Sequence, residues 1–410
     1  MALPPPTYCP NPVLAYVWIR INGVDITIPT QGPRKLTGFS YSRIGDKGGN
    51  RATISFFDEN WDEVENPIVS SSTFPEITFR YGYTDGLQSP DFTGLIYDYK
   101  PVFAIDGTKI VVEVISVGFQ DGADRLKSRT WKGMDIHEIV AAIAREHSWN
   151  SEIDETRSIL DNDGIESSLV EKKVFHQSNV RDLQFIITCL TPFAVRKTDK
   201  TADYKVWLDD RTNTLHFHPP RFEESEVATF VFMRDRMSEV ISFSPDMRGQ
   251  LNLRLGAGVA GTPYLDSQTG QYGTVVHTNA TTPEKTLLGG PLTAAGKEID
   301  EDFSVSDGRY VRDAFHADTA SRDRFFDQFN SIFGATMVLQ GNPTLLPHTV
   351  IRMIVIKRDG NLHYSSGLYK ILDILDQIDP GNFTSTLNMI RNSYPAAGVG
   401  GDQGIGNING

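Results

Sequence analysis

The stretch GNPTLLPHTVIRMIVIKRDGNLHYSSGLYKILDILDQIDPGNFTSTLNMIR, residues 341–391, reads as three or four β-strands cut by turn residues. Val350 to Ile356 is an apolar run that ends before Asp359-Gly360, a pair suited to the positive φ angles of a tight hairpin. Gly367 to Ile371 and Ile374 to Ile378 come next, then Asp379-Pro380-Gly381 supplies a fixed φ and a left-handed position. From Phe383 to Ile390 the apolar residues stand mostly two apart, as a half-buried strand requires. The pattern predicts a meandering antiparallel sheet, with nothing in it that resembles a catalytic centre.

Outward from this stretch, composition sets the bounds. A chain of 410 residues has room for about two to four domains. Hydrophobic content of 39% and charged content of 22% are ordinary for a globular protein. A net charge of −13 argues against a protein that grips DNA, which needs a basic footprint; it is compatible with a passage along which DNA slides and, more simply, with solubility. Two cysteines, Cys9 and Cys189, make no disulfide framework. Pro4-Pro5-Pro6 stands where a leader would need an apolar run, and no stretch is long and apolar enough for a spanning helix, so neither secretion nor a membrane anchor is expected.

Residues 13 to 120 carry strand signals at Val13–Ile21, Val24–Ile28, Leu36–Ser42, Ala52–Phe57, Glu76–Tyr81, Phe92–Pro101 and Lys109–Gly118. Asn22-Gly23, Gly48-Gly49, Asp85-Gly86 and Asp106-Gly107 punctuate them, which points to a barrel or sandwich. The link from Asp58 to Pro75 has room for a short helix. Ile136, Ile139, Val140 and Ile143 then share one helical face, with Asp135 as cap and Glu138 at capping-box spacing. A second helix is expected from Asn179 to Leu190, capped by Ser178 or Asn179, after a short strand at Val170–Phe175. Strands are expected at Tyr204–Leu208 and Thr214–His218, and later at Val227–Met233, Glu239–Ser244 and Gln250–Leu255. Tyr264 to Lys297 reads as a long loop, Arg309 to Phe333 as helix, and Ala335–Gln340 as the start of the final sheet.

In the last stretch, G-x-P-x-L, then H-Y-x-S-G-x-Y-x-I, then an acidic-Pro-Gly turn into a Thr-rich strand ending in Arg391 resembles the baseplate hub proteins of contractile phage tails. This is the late control protein D group, related to the hub part of type VI secretion spike proteins. The helix WKGMDIHEIVAAIAREH (131–147) and the segment FHQSNVRDLQFI (175–186) resemble further family elements, as does the hairpin strand from Asp210 to Pro219. Asp135 departs from the hydroxyl cap of the family, and Ile187 and Thr188 stand where it prefers Leu and an Arg-bearing turn.

The resemblance implies an α+β, mainly β fold: two tail-tube-like antiparallel β-barrel domains, at 1–125 and 226–394, flanking a mixed α/β domain at 126–225. A loop insertion near 256–300 and a Gly-rich tail at 395–410 complete the layout. Three copies carrying two β modules each would present six near-equivalent units, matching a threefold spike to a sixfold tube. The expected partners are therefore itself as a homotrimer, a central spike protein, and a tail tube or distal tail protein. Tape measure and wedge proteins are further candidates, and DNA is only passing cargo. The expected place is the virion baseplate, assembled in host cytoplasm. His363, Tyr364, Gly367, Tyr369, Asp379 and Arg391 are the candidate interface residues.

No catalytic, cofactor or metal residues are expected. Gly256-Ala-Gly258-Val-Ala-Gly261 matches a dinucleotide fingerprint, but Thr262-Pro263-Tyr264 and the residues up to Gly270 read as loop where a helix must begin. His216 and His218 share a strand face at a spacing metals use, yet no third ligand is near in sequence, so they read as exposed strand histidines. The rivals are the hub of a tailocin or secretion particle, a cell-wall-degrading tail enzyme, and a carbohydrate-binding array using exposed aromatics such as Trp61 or Trp149.

Overall fold

A computed structural model describes residues 15–27, 36–46, 48–58, 64–70, 74–84, 86–105, 107–117, 125–157, 174–199, 201–222, 224–233, 238–246, 259–265, 272–278, 305–306, 318–323, 327, 330, 333–363, 365–379 and 382–391. The first region holds β1 (Ala15–Ile21), β2 (Val24–Thr27), β3 (Leu36–Ile44), β4 (Arg51–Asp58), α1 (Glu65–Val69), β5 (Glu76–Tyr83), β6 (Phe92–Ala104) and β7 (Gly107–Ser116). Asn22 and Gly23 turn β1 into β2 with φ of 47° and 82°, the two positive angles that the dipeptide favours. Along β3, Phe39, Tyr41 and Arg43 alternate inward. Phe39 and Tyr41 meet Phe79 of β5 at 5.3 Å between ring centroids. The sheet therefore curls until its separated strands β3 and β5 touch through side chains.

The middle region holds β8 (Lys127–Lys132), α2 (Ile136–Glu146), β9 (Asn150–Ile153), β10 (Val174–Val180), α3 (Asp182–Phe185), β11 (Lys205–Asp209) and β12 (Thr214–His218). The capping box of α2 forms, with the Asp135 amide donating to Glu138 Oε2 at 2.7 Å. Its apolar face packs with Leu183, Phe185 and Ile186 and with Tyr204, Leu215 and Phe217. The expected helix from Asn179 begins later. Asn179 sits in an irregularity of β10 at φ 52°, and its amide donates to Ser128 Oγ, so it is not a helix cap. Arg181 precedes the helix, which runs from α3 into a π turn at Ile186–Leu190. There the Thr188 hydroxyl donates to the Gln184 carbonyl at 2.7 Å. Asp182 is buried among Lys127, Arg129, His147 and Gln177 at 2.5–2.8 Å. Burial raises its pKa, but these partners outweigh burial and hold it well below the carboxylate range.

The last region holds β13 (Glu226–Met233), β14 (Val240–Asp246), β15 (Val259–Leu265), β16 (Tyr272–Thr278), β17 (Val305–Ser306), β18 (Phe333–Gln340), β19 (Val350–Ile356), β20 (Gly367–Asp379) and β21 (Asn382–Arg391). The segment read as a long loop from Tyr264 instead contains the end of β15 and all of β16, paired antiparallel. Periodicity missed this hairpin because Gly261-Thr262-Pro263 and Gly273-Thr274 interrupt its strands. Of the helix expected at Arg309–Phe333, the described residues 318–323, 327 and 330 are helical, whereas Phe333 begins β18. The expected strand Gln250–Leu255 and the tail at 395–410 lie outside the described residues.

β20 joins into one strand the two expected at Gly367–Ile371 and Ile374–Ile378, with an irregularity between Ile371 and Asp373. Its far end pairs with β3, from Asp373↔Ile44 to Ile378↔Phe39. This ladder fuses the first and last regions into one 13-stranded sheet, running β14-β18-β21-β20-β3-β4-β7-β6-β5-β1-β2 with β19 and β13 attached at β20. Ile378 and Phe383, both from the last region, fill the first region's core. The fold is α+β and mainly β, as the sequence led one to expect.

Candidate functional site

The β3–β20 seam is closed by charge where strand alternation calls for apolar residues. Arg43 and Asp376 both face inward, flanked by Tyr41 on one strand and by Ile374 and Ile378 on the other. Arg43 Nη2 pairs with Asp376 Oδ2, and Arg43 Nη1 donates to the Leu345 carbonyl. The Tyr81 hydroxyl donates to Asp376 Oδ2 at 2.6 Å, and the Ser385 hydroxyl donates to Oδ1. Four strands thus share one buried carboxylate. Burial alone would lower the Arg43 pKa, but Asp376 reverses this and keeps the guanidinium charged.

Beside the seam the middle region docks. Lys205 reaches Asp203 at 2.7 Å within its own region and Asp46 of the first at 3.4 Å. The Asn50 amide donates to Asp210 Oδ2. Lys370, fully buried on β20, donates to the Arg221 carbonyl at 2.7 Å. Burial pushes the carboxyls of Asp203 and Asp210 up to about 7.

Between these contacts lies a cavity of about 210 Å³, lined by residues of all three regions, including Tyr41, Arg43, Trp207, His216, Arg221 and His348. The Trp207 indole is the centre of an imidazole stack. His216 lies parallel to it at 4.5 Å and 2°, His348 at 3.6 Å and 18°, and His218 edge-on at 4.9 Å. His348 is held at φ 63°, its amide donating to the Ile371 carbonyl at 2.8 Å and its Nε2 bonded to the Gly45 carbonyl. Burial pushes the pKa of His218 down to about 4 and that of His348 well below the usual histidine range. His216 also falls, burial outweighing the opposing pull of Glu152. All three rings are therefore neutral at neutral pH.

The sequence left His216 and His218 without a third partner. The structure supplies one, because the parallel pairing of β9 with β12 sets Glu152 opposite His216. Glu152, His216 and His218 each place a ligand-capable atom within 4.8 Å of the others, the one such trio found among the described residues. His218 is buried and His216 half-buried, so neither is an exposed strand histidine. Nothing local to β12 announces a carboxylate on another strand.

The candidate interface residues divide. Asp379 is exposed at the β20–β21 turn and His363 is half-buried, its Nδ1 2.7 Å from Ser365 Oγ. Tyr364 lies outside the described residues. Gly367, Tyr369 and Arg391 form an internal clamp. Arg391 is 2% exposed, donates to the Ser366 carbonyl at 2.9 Å and lies over the Tyr369 ring at 5.6 Å. Gly367 sits at φ 151°, and a Cβ there would meet Arg391 Nη1 at 2.7 Å. The motif letters that drew attention at these three positions encode packing that closes the sheet. Trp149, which a carbohydrate-binding array would need exposed, is buried in the middle core.

No family model matches this chain, and no curated protein matches it by sequence. Solved structures match by fold. The 43 kDa tail protein of prophage MuSo2 from Shewanella oneidensis superposes with a TM-score of 0.60 at 11% identity, over 92% of this chain and 99% of that one. A tail protein from Neisseria meningitidis MC58 gives 0.61 at 9%, over 93% and 98%. An E. coli component of the type VI secretion system, described as structurally similar to the T4 tail proteins gp27 and gp5, gives 0.51 at 12%, over 92% and 77%. The chain therefore has the fold of these tail proteins, at 9–12% sequence identity.

Proposed function

We propose that this protein is a structural baseplate hub of a phage tail. Three copies form a ring that adapts a threefold central spike to the sixfold tail tube. The observation that carries the reading is the β3–β20 ladder, which makes two β regions one continuous sheet within each chain. A ring subunit that counts as two must hold its two β modules at a fixed relation, and a ladder locked by a buried ion pair does so. The tail-protein fold, matched over nearly the whole chain, supports the same reading.

In this role the chain transmits force and turns over no substrate. Load entering either β region crosses the seam in the plane of the sheet, where ladder hydrogen bonds and the Arg43–Asp376 pair share it. The net charge of −13 suits a lumen along which DNA passes without adhering. The partners are the spike on one side and a tail tube or distal tail protein on the other, in the virion. Co-purification of the full chain with its spike, followed by imaging of the complex, tests this: a three-copy ring with six β modules facing the tube supports it, and any other copy number overturns it. The likeness to the E. coli secretion component favours, as a second reading, the hub of a tailocin or secretion particle. A DNA-filled capsid on particles containing the chain separates the two.

A further inference from the structure

The trio on β9 and β12 has the makings of a metal centre that tail-hub architecture does not require. We propose that Glu152, His216 and His218 bind a divalent transition-metal ion of the zinc class. Two imidazoles and one carboxylate suit zinc and its neighbours, whereas magnesium and calcium take oxygen ligands.

The geometry supports the assignment atom by atom. His216 Nδ1 lies 3.1 Å from Glu152 Oε2. Two ligands each about 2.1 Å from one ion stand about 3.0–3.4 Å apart at coordination angles between roughly 90° and 109°. Yet the buried His216 Nδ1 makes no hydrogen bond with well-formed geometry. A carboxylate oxygen at that distance stands where a second ligand of a shared ion would. His218 Nδ1 lies 2.8 Å from the Pro219 carbonyl, so it is the protonated nitrogen and Nε2 keeps its lone pair. Arg221 holds Glu152 by Oε1 and is itself anchored on Asp154 at 2.9 Å, which leaves Oε2 on the histidine side. The parallel Trp207 ring fixes the plane of His216. Such partners, which set tautomer and orientation without touching the ion, are what metal-binding histidines and carboxylates commonly have. The adjoining cavity gives an entry path and room for a water as fourth ligand. A bound ion would tie β9 to β12 on the face where the middle region meets the seam.

The test uses the full-length chain, stripped with a chelator, dialysed and titrated with Co²⁺ and then Zn²⁺. The expected result is one Co²⁺ per chain, with visible absorption bands of nitrogen-ligated cobalt that Zn²⁺ abolishes, and a higher melting temperature with Zn²⁺. Glu152→Gln and His216→Gln should each weaken binding by at least about tenfold, while His176→Gln, at an exposed site on β10, should change nothing. The Glu152 side chain is 45% exposed, so its variant should fold, as circular dichroism would check, and it decides alone should His216→Gln not fold. Absence of saturable Co²⁺ binding, or binding left unchanged by either substitution in a folded protein, overturns the proposal.

Discussion

The first and last β regions lie on the two sides of one seam, the first antiparallel throughout and the last mixed, with β13 parallel to β19, and they are filled with different chemistry. Phe39, Tyr41, Phe79, Tyr81 and Phe92 form a web of rings with centroids 4.6–6.4 Å apart. The last region has fewer rings, with Phe230 and Tyr369 buried in it, and is packed mostly by Met337, Met353 and Met389 among Leu339, Ile351, Ile371, Ile374 and Leu387. Ring pairs are directional, whereas thioethers and aliphatic chains adapt to the gap they find. The two fillings therefore need share no residue pattern, and no residue-level repeat links the two halves of the sequence. What they share is inward alternation along each strand, and one buried carboxylate where they meet.

The largest effect should come from breaking the meeting point. Asp376→Ala strands the Arg43 charge in the interior and strips acceptors from Tyr81 and Ser385, so a loss of about 3–5 kcal/mol is expected. Denaturant unfolding measures it. A loss under about 1 kcal/mol would mean the seam is not where the sheet is held.

The contrast in filling is sharpened by a matched pair. Phe79→Leu removes a ring that neighbours four others and should cost about 1.5–3 kcal/mol, whereas Met337→Leu, a volume-conserving swap, should cost less than about 1.5 kcal/mol. Equal melting temperatures for the two variants would erase the distinction.

How much of this was legible depends on range. Asn22-Gly23 and the Asp135/Glu138 capping box are local devices that the structure uses as read, while at Asp359-Gly360 only Gly360 takes a positive φ. The seam is different. β3 and β20 lie at opposite ends of the chain, and alternation says which face of each is buried but not what it meets. A signal was present all the same: Arg43 stands in register with Phe39 and Tyr41, and Asp376 with Ile374 and Ile378. Two opposite charges at inward positions of separate strands are a pairing hint. Glu152 carried no such mark, since β9 is four residues long, three of them polar, and shows no alternation to announce a strand. The Gly367, Tyr369 and Arg391 motif was visible as letters, but letters do not distinguish a clamp from a contact surface.

A smaller, pH-dependent effect probes the docking of the middle region against the seam. Burial raises the Asp210 carboxyl to about 7, so the folded chain holds that proton more tightly than the unfolded one. Its contribution to stability is full below the unfolded value near 3.8 and is lost as pH rises through about 7. Asp210→Asn keeps an acceptor for Asn50 and removes the titration. Melting curves should show the variant gaining on the parent above pH 7 and not below pH 4. A constant difference across that range would contradict the assignment.

The smallest effect is expected far from the seam, at the sheet's outer edge. Arg20 and Asp25 pair at 2.8 Å between β1 and β2, but their side chains are 44% and 43% exposed. Asp25→Asn should cost at most about 1 kcal/mol, and less in high salt. A cost rivalling that of Asp376→Ala would remove the contrast between edge and seam.

The most direct measurement is the mass of the full chain bound to its cognate spike protein, by native mass spectrometry or light scattering. The account predicts three copies of the 45.6 kDa chain for each threefold spike. Two copies, six copies, or a spike that leaves the chain monomeric would contradict it.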